Sequence, residues 1–417
     1  MTVIAFPAFR AQIAGWKKWL RARGLAAGSR VGVLAANRVE TVALFLACGE
    51  VGLTLVPFNA RLTAGELAPL VTQAAAALVI SEDDRIPTAI PFPVVAPAED
   101  LPEPAPDDQP LAALFTSGTT GTPSLIVLTH GNFRASARAS AANLGGAADQ
   151  RWLLCLPLFH VGGLAMAHRC AEYGATLVVE KGFDPARANA LIDAGEVTHL
   201  SLVPTALDRL LEGRGVFPKT LKAVLVGGGP VPLSLMERAR AMGAYVLQTY
   251  GLTEACSQVT TERVPDGSTA GPPLPGIEVR IVDGQIEVRG PTVFKPGWLQ
   301  TKDLGELDAQ GRLTVLSRRT DLIVSGGENV YPAELERVLG GHPAVREVAV
   351  GPRADSKWGQ VPIAVVVWRE EADDGVAAWC RERLAAFKVP KAFISLESLP
   401  RNANGKVDRR ALAALIG

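Results

Sequence analysis

The chain has 417 residues, beyond the usual reach of one hydrophobic core, so two or more domains are expected. Apolar residues make up 48% and charged residues 20%, as in ordinary globular proteins, and 42 basic side chains balance 42 acidic ones. The balance argues against a nucleic-acid binder, and the lack of any apolar run near ~18 residues argues against a membrane span. Cys48, Cys155, Cys170, Cys256 and Cys380 are scattered without a C-x-x-C pair, so buried free thiols in a reducing cytoplasm are expected rather than disulfides or zinc.

No Asp or Glu precedes Glu40, whereas seven Lys or Arg residues from Arg10 to Arg38 do, a pattern shared with transit peptides and membrane-surface helices. Phe9, Ile13, Trp16 and Leu20 nonetheless fall on one helical face with Gly24 behind them, which predicts an ordinary first helix. Short apolar runs then follow at 31–35, 53–58, 77–81, 111–116, 152–157, 176–180, 199–204, 223–227 and 245–250, separated mostly by amphipathic stretches of helix length. This alternation predicts an α/β protein with largely parallel sheets covered by helices. Residues 86–110 carry eight prolines and read as a surface connection. At 277–290 the period changes to two. Val279, Ile281, Ile286 and Val288 flank Asp283-Gly284, so a hairpin and an antiparallel β subdomain are expected. Beyond residue 320 a helix (332–339), strands (345–351, 361–368), a second helix (375–386) and a Lys-rich tail make a small α+β domain.

Four strand ends carry chemistry. Thr116-Ser117-Gly118-Thr119-Thr120-Gly121-Thr122-Pro123 has the composition of a phosphate cradle, with glycines that let amides converge and hydroxyls that add donors, yet lacks the Gly-Lys-Ser/Thr of a Walker loop. A plain polar turn is the alternative. His160 lies in Leu156-Pro157-Leu158-Phe159-His160-Val161-Gly162-Gly163, where, taken alone, a core histidine with a satisfied hydrogen bond is the better reading. Gly227-Gly228-Gly229 permits close approach of a flat ligand, or simply a tight turn. Tyr250-Gly251-Leu252-Thr253-Glu254 places an aromatic face, a hydroxyl and a carboxylate in succession, suited to a base, a phosphate and Mg²⁺. All stand at carboxyl ends of strands, where open α/β sheets bind ligands. Lys406, after Asn404-Gly405, sits on a turn that would by itself suit a solvated lysine.

In this order, these segments resemble the adenylate-forming acyl-CoA synthetases over nearly the whole chain. The segments at 250–258 (YGLTEACSQ), 318–336 (RRTDLIVSGGENVYPAELE), 358–362 (WGQVP) and 399–406 (LPRNANGK) are most similar to the o-succinylbenzoate–CoA ligases of menaquinone biosynthesis. The resemblance implies a large N-terminal domain of helix-covered sheets plus an antiparallel β subdomain (1–318), a hinge (319–321) centred on Thr320, and a small mobile α+β C-terminal cap (322–417). It implies ATP, Mg²⁺ and coenzyme A as ligands, a small carboxylic acid as substrate, a cytoplasmic location, no stable membrane insertion, and compatibility with a homodimer. Thr116, Ser117, Gly118, Thr119, Thr120 and Gly121 would hold phosphates. Gly227 to Gly229, Tyr250 and Gly251 would frame adenine, and Thr253 and Glu254 would meet the α-phosphate and the metal. Asp303 and Arg318 would hold the ribose, and His160, Gly228, Ser257 and Gln258 would border the acyl pocket. Gly326 and Gly327 would face it only during thioester formation, and Lys406 would serve adenylation.

Two departures from the family pattern bear on this. Ser124 stands where the phosphate loop usually has a lysine, and Lys302 stands where Thr-Gly-Asp is usual. Losing a charged hydrogen bond to phosphate costs about 1.5–3 kcal/mol, or roughly ten- to a hundredfold in ATP affinity. Lys302 is expected to restore some of that positive charge. A ligase for another aryl or short acyl acid, or a non-catalytic binder that kept the fold, remain open alternatives on these residues.

Overall fold

The computed structural model describes residues 2–116, 123–229, 231–318, 321–325, 328–356, 358–370, 375–402 and 405–417. Among them the chain forms two large mixed sheets, a four-stranded antiparallel sheet and a five-stranded C-terminal sheet. Every strand expected at 31–250 is present within a few residues of its predicted bounds. Strands Arg30–Leu34, Thr54–Phe58 and Leu78–Ser81 run parallel in one sheet. Arg151–Leu154, Thr176–Val179, His199–Leu202, Ala223–Val226 and Val246–Leu252 run parallel in the other.

One continuous core joins the two sheets. The helices Val39–Glu50 and Val161–Tyr173 lie in it, with Leu44, Phe45, Leu164, Met166 and Cys170 fully buried against both Leu55 and Leu177. Helices Pro185–Asp193, Pro204–Leu211 and Leu233–Ala241 cover the far face of the seven-stranded sheet, and Ala64–Ala74 covers that of the other. A central helix apolar nearly all round is what burial between two layers demands.

The first helix, Phe6–Arg21, buries Phe9, Ile13, Trp16 and Leu20 as expected from their spacing. The strand before it, Thr2–Ala5, was not expected; it pairs antiparallel with Thr176–Val179 and closes the sheet edge. Residues 86–110 run over this helix with only the short strand Ile90–Pro91. The chains approach so closely that a Cβ on Gly15 would stand 2.2 Å from Ala96 O. At Asp283-Gly284 the strands Glu278–Val282 and Gln285–Arg289 are joined by a two-residue turn with φ of 49° and 75°, the left-handed pair of a type I′ hairpin. In the C-terminal region the second helix is shorter than expected, Val376–Arg383, and the Lys-rich tail contains a helix, Arg409–Ile416, capped by the Asp408 carboxylate. All five cysteines are free and buried. Among the described residues no helix is long and apolar enough to cross a membrane.

The fully buried Lys17 ties the proline-rich stretch to the core. Its ammonium contacts Glu50 at 3.1 Å, Asp100 at 2.8 Å and Glu103 at 2.9 Å, and donates to Leu101 O. Burial pulls the Lys17 pKa down but is outweighed by the three carboxylates, so it is raised. Burial likewise pushes Glu50 up and is outweighed by Arg10 and Lys17, so its pKa is lowered. A raised lysine stabilises until pH climbs through its folded pKa, and a lowered glutamate stabilises until pH falls through its own. The cluster is therefore intact between the ordinary glutamate and lysine ranges, above about 4.3 and below about 10.4. Removing one partner from a buried ionic cluster costs about 3–5 kcal/mol. Lys17→Met is expected to fall at the lower end of that range, because Asp100 and Glu103 are partly exposed, as read from the urea midpoint at pH 7. A midpoint shift of a few tenths of a kcal/mol would show the cluster to be ornamental.

Candidate active site

The carboxyl ends of the parallel strands meet the tail turn of the C-terminal region at one mouth. After Ala223–Val226 the chain passes Thr249 so tightly that a Cβ on Gly227 would stand 2.5 Å from Thr249 O. Gly228 has φ of 80° and faces Val203, with the exposed Gly229 beside it. The next strand, Val246–Leu252, carries Tyr250, whose hydroxyl donates to Asp303 Oδ2 at 2.7 Å. That bond joins the α/β body to the antiparallel subdomain, and Asp303 lies opposite Arg318 in the register of Leu299–Leu307 with Leu313–Arg318.

Past Gly251, where any Cβ would collide with Ser257 O at 1.8 Å, comes a single 3-10 turn, Thr253–Ala255. Phe294 N donates to Glu254 O at 2.9 Å and fixes this turn against the subdomain. Cys256 and Ser257 then adopt φ of 49° and 88°, left-handed conformations that cost a non-glycine residue of order 1–2 kcal/mol each. Strain of this kind gathers at working sites. Among the described residues no three His, Cys, Asp or Glu side chains form a metal cluster of their own. A lone carboxylate such as Glu254 still fits Mg²⁺, which takes one or two carboxylates and completes its shell with phosphate oxygens and water.

His160 is the residue before the helix Val161–Tyr173. Burial first, then the nearby charges of Lys406 and Arg61, pull its pKa down to about 4, so the imidazole is neutral at pH 7. The tail turn that carries Lys406 lies beside Arg61, whose Nη1 would stand 3.2 Å from a Cβ on Gly405. This tail turn is closed by Asn402 N to Lys406 O (2.8 Å), Gly405 N to Asn402 O (2.8 Å) and Arg401 Nη1 to Gly405 O (2.9 Å). The C-terminal region also touches the large body through Ser234 Oγ, which donates to Gly340 O at 3.0 Å.

Thr116 ends the strand Pro110–Thr116 opposite Ser124, the first residue of Ser124–Thr129. Ser117, Gly118, Thr119, Thr120 and Gly121, between them, lie outside the described residues, as do Thr320, Gly326 and Gly327. Of the rest, His160 precedes the helix Val161–Tyr173, Gly227 to Gly229 follow the strand Ala223–Val226, Tyr250 to Glu254 close the strand Val246–Leu252 and its turn, Ser257 and Gln258 open the strand Ser257–Thr261, Asp303 and Arg318 pair within the antiparallel sheet, and Lys406 stands on the tail turn.

Two cations not singled out from the sequence are notable, one bonded to Gln258 and one beside the tail turn. Arg169 is buried on the helix Val161–Tyr173, its Cζ 4.1 Å over the Trp152 ring. Its Nη1 donates to Ser140 Oγ and, at 3.2 Å, to Gln258 Oε1, while its Nε is buried with no hydrogen-bond partner. Among the described residues no carboxylate pairs with it, and burial pulls its pKa down. An Arg within the apolar run of a buried helix was the legible signal. Arg61, after the strand Thr54–Phe58, had none.

The AMP-binding enzyme family matches residues 8–298, and the AMP-binding enzyme C-terminal domain matches 334–406. The chain belongs to the AMP-binding enzyme family. It is 38% identical over 433 aligned positions to a 2-succinylbenzoate–CoA ligase of Bacillus cereus (strain Q1), covering 94% of this chain and 90% of that one. Among solved structures it resembles o-succinylbenzoate CoA synthetase of Bacillus subtilis in complex with the acyl-adenylate intermediate OSB-AMP. That match has 36% identity and a TM-score of 0.86, and covers 98% of this chain and 92% of the other. The same enzyme in complex with ATP and magnesium ion gives 36% identity and a TM-score of 0.86 over 96% and 93%.

Lys302, in place of the usual glycine, has φ of 65° directly before Asp303. Glycine there would relieve backbone strain of about 1 kcal/mol. Lys302→Gly is expected to raise the melting temperature by a few degrees and to weaken ATP binding several-fold. Unchanged ATP affinity by calorimetry would remove the nucleotide role from Lys302.

Proposed function

We propose that this chain is a cytoplasmic, ATP-dependent acid–thiol ligase that activates o-succinylbenzoate as its acyl-adenylate and passes the acyl group to coenzyme A, in menaquinone biosynthesis. The observation that carries the choice of acid is Arg169. A buried guanidinium without a carboxylate costs several kcal/mol unless something anionic answers it. It borders Gln258 of the acyl pocket, and o-succinylbenzoate brings a second carboxylate beyond the one that reacts.

In the first half-reaction one carboxylate of the substrate attacks the α-phosphorus of ATP, the bond to the pyrophosphate oxygen breaks, and pyrophosphate leaves. Tyr250 and the glycines at 227–229 hold the adenine, Asp303 and Arg318 the ribose, Thr253 the α-phosphate, and Thr116 with the residues up to Gly121 the outer phosphates. Glu254 is the protein ligand for Mg²⁺, which supplies charge neutralisation on the phosphates when bound. Lys406 bridges the attacking carboxylate and the α-phosphate, where negative charge converges. One such contact at ~4 Å with an effective dielectric of ~20 contributes roughly 4 kcal/mol, on the order of a thousandfold in rate. The neutral imidazole of His160 lines the mouth without adding a competing charge. In the second half-reaction the coenzyme A thiolate attacks the acyl carbon and AMP departs with the electron pair. The domain 322–417 turns about Thr320 between the two, withdrawing Lys406 and presenting Gly326 and Gly327.

ATP–pyrophosphate exchange across a panel of acids tests the substrate. Exchange with o-succinylbenzoate alone is expected, and silence with every acid favours a nucleotide binder. Arg169→Ala should raise KM for o-succinylbenzoate about ten- to a hundredfold, the loss of one or two charged hydrogen bonds, with KM for ATP unchanged. Equal loss toward a monocarboxylic aryl acid would take the second carboxylate away from Arg169. Lys406→Ala should abolish adenylate formation yet spare thioester formation from supplied acyl-adenylate; equal loss in both half-reactions refutes its role.

A further inference from the structure

A cavity lies toward the far end of the helix Val161–Tyr173 from His160, in a part of the body that the adenylation reading does not use. It encloses about 370 Å³, within the size range of small-molecule sites. His168 and Ala171 line one side of it, and His168 stands about two turns beyond His160, or roughly 12 Å along the helix axis. Phe6, Ile13, Leu46 and Leu111 give it apolar walls. Pro104 and Glu172 are exposed among its lining residues, so the cavity opens to solvent beside the proline-rich stretch.

Three lining residues each carry a buried polar atom with no hydrogen-bond partner among the described residues: Nε2 of His130, Nδ1 of His168 and Nε of Arg10. The two histidines are only 8% and 7% exposed. Gly49 O approaches the His130 ring but accepts from Gln109 Nε2 at 2.7 Å. Gly49 also makes room for that ring, since a Cβ there would stand 2.8 Å from His130 Cε1. The His168 ring packs against Phe133 with centroids 5.3 Å apart, a contact that leaves Nδ1 unanswered. Buried polar atoms are nearly always paired, so three orphans around one cavity point to a ligand.

The charges of the wall meanwhile answer one another. Arg10 pairs with Glu50 at 2.5 Å, Glu103 with Lys17 at 2.9 Å, and Arg134 with Asp107 at 2.6 Å. An ionic guest would compete with these pairs; a neutral one would not. Burial also keeps both imidazoles neutral at pH 7, pulling His130 down to about 4 and His168 to about 3. A neutral imidazole nitrogen donates or accepts according to its tautomer, and a hydroxyl group matches either. A cavity of about 150 Å³ is enough for benzene, so this one has room for two fused rings.

We propose that this cavity is a second ligand site, separate from the adenylation mouth, for a neutral one- or two-ring molecule whose hydroxyl group bonds an unpartnered imidazole nitrogen, that of His168 foremost. The apolar walls take the rings. The proposal stands apart from the choice of acid at the mouth.

The test is equilibrium dialysis of the full chain against 2-naphthol and against naphthalene, with and without excess o-succinylbenzoate. 2-Naphthol is expected to bind one per chain, about two- to tenfold tighter than naphthalene, the contribution of one hydrogen bond between neutral groups. Excess o-succinylbenzoate should leave that binding unchanged. His168→Leu keeps an apolar wall but removes the nitrogen, and should bind the two probes equally. Ala171→Phe keeps both imidazoles and fills the space, so it should bind neither; it carries the test alone if His168→Leu does not fold. A preference for 2-naphthol that survives in His168→Leu, or binding that survives in Ala171→Phe, overturns the site. So does displacement by o-succinylbenzoate, which would put the probe in the acyl pocket, and so does an unaltered chain that binds both probes equally or neither.

Discussion

The burial of one helix, Val161–Tyr173, between two largely parallel, mixed sheets constrains most of what this protein can do. Its neighbours on both sides are apolar strands, so Leu164, Met166, Ala167 and Cys170 are its natural occupants. The same geometry sets His160 at the mouth formed by strand ends, just outside the helix. It also carries Arg169 into the interior, where stacking on Trp152 and two hydrogen bonds hold the guanidinium but supply no negative charge. A helix exposed on one side would have let that arginine turn to water and give up its hydrogen bond to Gln258.

The strand ends act with the helix. Parallel strands deliver their carboxyl ends to one edge, and there the chain relies on backbone proximity as well as on side chains. Gly227 against Thr249 and Gly251 against Ser257 are contacts that a single methyl group would forbid. They let the glycine segment at 227–229 and the turn at Glu254 fold back closely, while the Tyr250–Asp303 bond fastens that edge to the antiparallel subdomain. Cys256 and Ser257 hold the turn in conformations their side chains disfavour, so its shape is maintained by the surrounding sheet and not by local preference.

Much of this was legible in advance. Apolar runs between helical stretches located the parallel strands, and Asp283-Gly284 located a hairpin to the residue, because turn chemistry and period-two patterning agree there. For Lys406 and the strand-end residues the expectation came from motif order alone, since a resemblance can suggest a role that one exposed lysine cannot. The edge strand Thr2–Ala5 was not legible: four residues beside a helix start show no alternation to read. The tail helix Arg409–Ile416 hid behind a cationic stretch, although Asp408 is a sound cap. Arg169 was missed although an arginine inside the apolar run of a buried helix was there to be read; what its burial means, that no carboxylate meets it among the described residues, only the folded chain shows.

The five buried cysteines carry a consequence for an enzyme whose co-substrate is itself a thiol. Desolvation pushes Cys155 and Cys170 up to about 12 and Cys380 to about 11, and Cys48 and Cys256 higher still. Neutral and shielded, they form neither thiolates nor mixed disulfides with oxidised coenzyme A in the folded protein. The sulfur chemistry of this fold is thereby left to the visitor, and the host's own sulfur enters it only when a domain opens.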